Sequence, residues 1–237
     1  GRRPAPRGQV GMRPSVPSWL LPGGWLANLR AAQALAWVGG MELLLFSFEA
    51  EDRELFLKES PLIEAEGRGL DLGVHLPDPL LPAHREILEA TARYANYYVV
   101  HPARLGPGRA RESEAFASSL ESLRRDYGDR FLLEYTNRAD FEAALAALPD
   151  LGVCADSAHL LAEGIDPAAW LGARSGQVRE IHLNGFEDGR AHRPLRGDEA
   201  WLGPLLPFLR DGAMRVEFEV FSLAGVEASY QALKELP

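Results

Sequence analysis

The chain has 237 residues, of which 46% are hydrophobic, and this is enough to bury one sizeable core. Its net charge of −9 argues against nucleic acid as a partner, because proteins that follow a duplex usually present a basic face. No run of about 18 apolar residues occurs, which argues against a membrane span, and the single cysteine excludes an intrachain disulfide. We therefore expect a cytoplasmic protein that has no membrane partner and acts on a small molecule.

The first residues are rich in arginine and proline, as in Arg2, Arg3 and Pro4. A segment of this composition buries too little apolar surface to offset the entropy of ordering it. We predict that residues 1–8 form a flexible arm and that residues 9–237 form a single catalytic domain.

Short apolar runs recur along the chain, and a segment with helical spacing follows each of them. Residues 41–46 form a continuous apolar run of the kind found in buried strands, whereas residues 14–24 are rich in proline and glycine and predict a loop. The predicted strands span residues 9–12, 41–46, 71–75, 97–101, 130–134, 151–155, 178–183 and 214–221. The predicted helices span residues 25–37, 51–66, 83–94, 113–127, 140–148, a segment from 157, 167–171, 198–210 and 226–236.

Eight successive strand-helix units predict the α/β fold class and, within it, a single (β/α)₈ TIM barrel. A doubly wound open sheet is the alternative. That fold normally carries a glycine-rich turn after its first strand, and residues 8–11 have neither the spacing nor the following helix for dinucleotide binding.

Polar side chains stand where the predicted strands end. In a barrel of parallel strands these ends meet at one face, which carries the chemistry. Asp156 and His159 are one helical turn apart after the sixth strand and can point into the same space. The strand-end set is His75, His101, Glu134, Asp156, His182 and Glu219, with His159 and His192 in the loops that follow.

Each of these residues has an ordinary structural explanation, such as a helix cap for Asp156. The convergence of all of them at one face is not explained in this way. Glu134, Asp156 and Glu219 would repel one another in a medium of low dielectric constant unless a cation lay between them. We predict a divalent metal, and mixed nitrogen and oxygen ligands suit Zn²⁺, Mn²⁺, Fe²⁺ or Co²⁺. Cys154 is interpreted as a packing residue.

Six short segments carry a resemblance to a known family. The segments are Glu-Leu-Leu-Leu-Phe at 42–46, Val-His-Leu-Pro at 74–77, Cys-Ala-Asp-Ser-Ala-His-Leu-Leu at 154–161, Ile-His-Leu-Asn-Gly at 181–185, His-Arg-Pro-Leu at 192–195 and Phe-Glu-Val-Phe-Ser at 218–222. The chain resembles the apurinic-endonuclease and xylose-isomerase-like TIM barrels over nearly its whole length, and within them it is most similar to the cobamide-remodelling phosphodiesterases.

The resemblance implies two metal ions and a remnant of a third site. The first ion would be held by Glu134, Asp156, His182 and Glu219, and the second by His75, His101 and the bridging Glu134. The third site would retain His159 and His192, but Arg190 stands where the endonucleases have a carboxylate, and Asp188 lies four residues before His192.

The function that this set implies is metal-dependent hydrolysis of a phosphate ester, most similar to cleavage of the nucleotide loop of cobamides. Glu134 would bridge the metals or act as a base, and His192 would also be catalytic. Arg193 would contact phosphate, since arginine suits bidentate recognition, and Asn184 would bind substrate.

Three other functions remain open. A sugar isomerase or epimerase would need one metal and would have little use for the imidazoles of His75 and His101. An apurinic endonuclease is disfavoured by the acidic charge. A protein that binds a corrinoid or a metal without turnover is the non-enzymatic alternative.

Overall fold

The computed structural model describes residues 13–46, 48–104 and 110–237. The predicted arm at residues 1–8 and the predicted first strand at residues 9–12 lie outside the described residues.

Eight parallel strands close into a barrel, and helices surround it, which confirms the predicted fold class. The barrel strands are β1 (Ser15–Pro17), β2 (Gly40–Leu44), β3 (Asp71–His75), β4 (Tyr97–Val100), β5 (Phe131–Glu134), β6 (Gly152–Asp156), β7 (Val178–His182) and β10 (Arg215–Glu217). They are ordered β1-β10-β7-β6-β5-β4-β3-β2 around the ring, and a separate antiparallel hairpin consists of β8 (Gly185–Glu187) and β9 (Arg190–Arg193). The helices are α1 (Trp25–Gln33), α2 (Ala50–Glu66), α3 (Arg85–Thr91), α4 (Ala110–Tyr127), α5 (Arg138–Ala147), α6 (Ser157–Ala162), α7 (Pro167–Ala173), α8 (Leu202–Arg210) and α9 (Leu223–Glu235).

The prediction of a loop over residues 14–24 was wrong at its start, where β1 lies. Ser15, Val16 and Pro17 are buried and pair in parallel with β2, and Ser15 also pairs with β10. The fixed φ of proline is compatible with extended backbone. The ladder continues past Pro17, since the backbone N–H of Ser18 donates to the carbonyl of Glu42 (2.9 Å).

The hairpin of β8 and β9 was not predicted. Its turn residues Asp188 and Gly189 both have positive φ, 52° and 72°, and Glu187 pairs with Arg190 across the two-residue turn. An Asp-Gly pair is the usual signal for such a turn. The flanking segments are too short and too polar to indicate strands, so the Asp-Gly pair by itself did not predict a hairpin.

Several predicted elements are shorter in the structure; α1, for example, ends at Gln33 and not at residue 37, and the differences at α8 and β10 bear on the polar residues near them. Helix α8 begins at Leu202 and not at residue 198, because the carboxylate of Glu199 accepts from the backbone N–H of Arg196 and Gly197 (both 2.8 Å) and holds a turn there. Strand β10 ends at Glu217, so Glu219 lies two residues beyond the strand.

The barrel interior has an apolar half and an acidic half. Tyr97, Val99, Leu132 and Cys154 of the adjacent strands β4 to β6 pack together. Three fully buried glutamates lie on β2, β7 and β10 around the other part of the ring. The larger apolar core lies between the barrel and its helices.

Among the helices of the described residues, none is long and apolar enough to cross a bilayer.

Replacing Gly73 by alanine should destabilise the barrel. An ideal Cβ at residue 73 would lie 2.2 Å from Cζ of the buried Tyr97 ring, and relief of such an overlap costs about 1–3 kcal/mol. The control is Gly203→Ala, at an exposed helical position with no atom within 4 Å of the new Cβ, where stability should stay the same or rise by up to about 1 kcal/mol. Urea unfolding of both variants measures the difference, and equal stability would contradict the packing of Tyr97 against Gly73.

Candidate metal centre

The closure of the barrel brings the predicted ligands together at the C-terminal ends of the strands. They form three overlapping groups, and in each the candidate ligand atoms lie within 4.8 Å of one another. The groups are His75, His101 and Glu134; Glu134, Asp156 and His159; and Asp156, His182 and Glu219. We call these residues the mouth site.

Glu134 connects the groups because its two carboxylate oxygens face different partners. Its Oε2 lies 2.8 Å from Nε2 of His75 and 3.1 Å from Nε2 of His101. Its Oε1 lies 3.7 Å from Nδ1 of His182. The carboxylate is 1% exposed, so it sits between imidazoles with almost no contact with water.

Asp156 is positioned by the start of the helix that follows it. As the N-cap of α6, it accepts a hydrogen bond from the backbone N–H of His159 at Oδ1 (2.7 Å). Its Oδ2 accepts from the side-chain amide of Asn184 (3.1 Å). The hydroxyl of Ser157, buried beside it, donates toward the carbonyls of His182 (3.1 Å) and Asn184 (2.8 Å), and this fixes the end of β7 against α6. Asp156 therefore caps a helix and faces the mouth site at the same time.

The pKa values of the three carboxyl groups in the mouth site are shifted in opposite directions. Burial raises the pKa of Asp156, and the nearby Glu219 and Glu134 raise it further, well above its usual range. Burial also acts to raise the pKa of Glu134, but His101 and His182 outweigh it and hold that pKa well below the usual range. His182 and His192 likewise lower the pKa of Glu219 to about 2 against the effect of its burial. Full ionisation of all three needs more positive charge than the imidazoles supply.

His101 has a partner that the sequence did not indicate. Its Nδ1 lies 3.6 Å from Oδ2 of Asp78, which also accepts from the guanidinium of Arg104 (3.1 Å). Burial lowers the pKa of His101, but Glu134 and Asp78 outweigh it and raise the value to about 10. Asp78 can therefore orient the imidazole through the nitrogen opposite Glu134, as carboxylates commonly do behind metal-bound histidines.

The donor set fits a divalent cation. Both ring nitrogens of His182 are buried and have no hydrogen-bond partner among the described residues. Its Nδ1 is 3.7 Å from Oε1 of Glu134 and 3.7 Å from Oε2 of Glu219, distances suited to ligands that share an ion. Glu134, Asp156, His182 and Glu219 would hold one cation, and His75 and His101 with Glu134 would hold another.

Three other predicted site residues, Asn184, His192 and Arg193, differ in burial and in their contacts with the mouth site. Asn184 is fully buried, and its amide group binds Asp156 and the backbone N–H of His192 (2.9 Å). It therefore positions Asp156 and His192, and its role in substrate binding stays a prediction. His192, on the hairpin with a φ of 57°, lies at the mouth with Nδ1 3.3 Å from Oε2 of Glu219. Arg193 is exposed on β9, and no described hydrogen bond or ion pair joins its side chain to the mouth site.

The third group differs from the expected remnant. His159 shares it with Glu134 and Asp156, whereas His192 belongs to none of the described ligand groups. Asp188 is exposed at the turn of the hairpin, so the loop does not carry it to His192 as a substitute ligand.

An aromatic wall of Trp19, Phe46 and Phe221 borders the mouth site. The ring centroids are 5.4 to 6.0 Å apart, with edge-to-face contacts throughout. Phe46 contacts the ring of His75 (5.4 Å), and Phe221 contacts that of His192 (4.7 Å). Trp19 is 52% exposed, so the wall presents apolar surface to solvent beside the ligands.

A cleft of about 690 Å³ opens next to His101. Its lining includes Asp78, Arg104 and Phe116, and a smaller cleft of about 370 Å³ runs along Trp19 and Phe46. The mouth site therefore has room on two sides for a ligand of small-molecule size.

No protein-family model matches the chain. No curated protein sequence matches it significantly. Solved structures do match its fold. A 3-keto-D-glucoside 4-epimerase from E. coli is 17% identical over 94% of this chain and 97% of its own, with a TM-score of 0.63.

Two further structures are similar at the same level. A sugar phosphate isomerase/epimerase from Parabacteroides distasonis is 14% identical over 96% of this chain and 99% of its own, with a TM-score of 0.64. A probable 3-DHS dehydratase from Bacillus anthracis is 14% identical over 94% of this chain and 98% of its own, with a TM-score of 0.64. These likenesses show that the chain shares the barrel fold of these proteins.

Replacing both His75 and His101 by alanine should remove one equivalent of divalent metal from the protein. The variant loses two of the three ligands in one group, while the group of Asp156, His182 and Glu219 stays complete. Elemental analysis after removal of loosely bound metal compares the variant with wild type, and His84→Asn is the control, because His84 caps a turn away from the site. Equal metal content in all three proteins would rule out a cation at His75 and His101.

Proposed function

We propose that the protein is an enzyme that hydrolyses phosphate esters with the help of divalent metal. The observation that carries the proposal is the position of Glu134, whose Oε2 contacts His75 and His101 while its Oε1 faces His182. One carboxylate thereby joins two sets of nitrogen ligands, as a pair of neighbouring cations requires. Cations bound there would supply charge to neutralise the phosphate oxygens and would lower the pKa of water.

Hydrolysis forms a bond from phosphorus to a water oxygen, breaks the bond to the leaving alcohol and moves one proton from the water to that alcohol. His192 is suited to deliver the proton. Burial lowers its pKa, but contact with Glu219 outweighs burial and raises it, which favours the protonated ring. With Nδ1–H directed at Glu219, the N–H at Nε2 is left to donate to the departing oxygen.

Of the two roles expected for Glu134, the bridging ligand is the better supported. A carboxylate whose pKa is held well below its usual range is a weak base but remains anionic beside cations. Asn184 completes the arrangement as a positioning residue, since it binds Asp156 through its amide nitrogen and the backbone of His192 through its amide oxygen.

The aromatic wall supports a substrate that carries a ring system next to the phosphate. Its exposed indole and phenyl rings offer stacking surface at the side of His75 and His192. The nucleotide loop of a cobamide has this character, and its further support is the resemblance of residues 181–185 and 192–195 to the cobamide-remodelling phosphodiesterases.

A second candidate is a sugar isomerase or epimerase. The group of Asp156, His182 and Glu219 with Glu134 would serve a reaction with one metal, and two of the similar structures are named as an epimerase and an isomerase/epimerase. This reading leaves the close contacts of His75 and His101 with Glu134 without a task in catalysis.

The two functions are separated by assaying metal-reconstituted protein with three substrates: an aryl phosphodiester, a cobamide and a ketose. We expect release of alcohol from the diester and of a lower-ligand riboside from the cobamide, with no change in the ketose. The His75→Ala/His101→Ala variant should lose at least about a hundredfold in kcat/KM, which corresponds to roughly 2.7 kcal/mol. Epimerised ketose without phosphate-ester cleavage, unaffected in the variant, would establish the second candidate instead.

Asp156→Asn and His182→Ala should each abolish turnover while the fold is retained, because both residues serve the same ligand group at the C-terminal face of the barrel. Circular dichroism and thermal melting monitor the fold. Retention of more than about a tenth of wild-type kcat, a change in barrier of roughly 1.4 kcal/mol, would remove that residue from the site.

Duplex DNA with an abasic site should bind weakly and be cut slowly or not at all. The net charge of −9 gives little release of counterions to drive association. Fluorescence anisotropy at about 150 mM salt tests this, with the undamaged duplex as control, and tight binding selective for the abasic site would contradict it.

A further inference from the structure

Three glutamates lie inside the barrel below the mouth site. Glu42 on β2, Glu180 on β7 and Glu217 on β10 are all 0% exposed. None of their six carboxylate oxygens has a hydrogen-bond partner among the described residues. We call these residues the interior triad, and they have no part in the proposed reaction.

Oxygen atoms of the triad converge on one point. One carboxylate oxygen from each glutamate, together with a ring nitrogen of His182, lies within 4.8 Å of the others. Ligands on opposite sides of a divalent cation are about 4 to 5 Å apart when the bonds to oxygen are 2.0 to 2.6 Å long. The spacing is therefore the one that a coordinated cation would produce.

One other buried polar group lies beside the triad without a partner. The hydroxyl of Tyr97 is buried and forms no hydrogen bond among the described residues. Burial raises its pKa, and the charges of Glu180, Glu42 and Glu217 raise it further, which places the hydroxyl beside the triad. This hydroxyl is not one of the acidic groups, and as a buried polar group it also needs a partner.

His182 separates the triad from the mouth site. Its Nδ1 faces Glu134 and Glu219, and its Nε2 lies 3.4 Å from Oε1 of Glu42 and 3.4 Å from Oε2 of Glu217. If Nδ1 serves the mouth site, the ring proton is on Nε2 and can be directed at the triad. The imidazole then supplies a hydrogen-bond donor and leaves the three carboxylates as the charged ligands of the interior, with the thiol of Cys154 within 4.8 Å of Glu180 and His182.

The arginine that acts on the triad is already engaged. Arg215 lies near enough to Glu180 to oppose the rise in that carboxyl's pKa, which burial and Glu42 cause. Its guanidinium, however, forms a 2.6 Å ion pair with Asp71 and stacks over the ring of Tyr97 (4.4 Å). No lysine or arginine is buried among the described residues, so the imidazole of His182 is the one counter-charge that the described residues place against the three carboxylates.

Protonation of the three carboxyl groups is the alternative to a cation. Three carboxylic acids could pair their hydroxyl donors with carbonyl acceptors, but no hydrogen bond joins the three glutamates to one another, and each group left unpaired carries a cost of burial. A cation instead satisfies several oxygens at once and removes the repulsion between them.

We propose that the interior triad of Glu42, Glu180 and Glu217 binds a divalent cation of its own, separate from those of the mouth site. An all-oxygen set of carboxylates, with the Tyr97 hydroxyl at its edge, selects a hard ion such as Mg²⁺, Ca²⁺ or Mn²⁺. The inference does not rest on the proposed reaction, since it concerns different ligands and would hold for a hydrolase or an isomerase.

Anomalous diffraction from wild-type crystals grown with Mn²⁺ tests the site directly. We expect a peak between the three carboxylates, in addition to density at the mouth site. Occupied mouth positions with no peak in the interior would overturn the proposal and would indicate protonated carboxylates.

Metal content provides the second test. The isosteric variant Glu180→Gln/Glu217→Gln should bind one equivalent of Mn²⁺ fewer than wild type, while Glu227→Gln/Glu235→Gln, which removes the same charge from exposed positions on α9, should bind the wild-type amount. If the double variant does not fold, Glu42→Gln serves in its place. Equal Mn²⁺ content in wild type and the interior variant would count against the site whatever the result of the activity assays.

Discussion

The burial of six carboxylates inside one barrel is the constraint on which the rest of this structure depends. Each of them is at most 3% exposed, and no lysine or arginine is buried with them among the described residues. Isolated charges in such a medium would be strongly disfavoured, so each must be paired, protonated or bound to a cation. The six are Glu42, Glu134, Asp156, Glu180, Glu217 and Glu219.

His182 divides this acidic interior into two centres. The ring is fully buried at the end of β7, with one nitrogen toward the mouth site and the other toward the interior triad. At the mouth, imidazoles alternate with carboxylates, and solvent and the aromatic wall are close. In the interior the ligands are oxygen atoms closed off from water. One barrel thus offers two cation environments of different chemistry, a few residues apart along the same strands.

The fold does not choose between the candidate reactions. Sugar epimerases and a dehydratase share it at identities of 17% or less, as expected of an architecture whose chemistry is set by side chains at the strand ends. The feature that distinguishes phosphate-ester hydrolysis from isomerisation or epimerisation is local. It is the contact of Glu134 with His75 and His101. A reaction with one metal would need only the other oxygen of Glu134, Oε1, which faces His182.

The barrel and most of the mouth site could be predicted from the amino-acid sequence. Apolar runs of strand length alternate with helical segments, and the rule that parallel strands present their C-terminal ends at one face was enough to bring His75, Glu134 and Asp156 together. Two other features do not follow from this rule and depend on the tertiary structure. The interior triad consists of one glutamate on each of three strands, and only closure of the ring from β2 to β7 and β10 makes them neighbours. Asn184 likewise became a positioning residue only because the hairpin folds His192 over it. A strand pattern states which residues face inward, but the distance between residues on different strands is set by the closed barrel, and charge interactions depend on that distance.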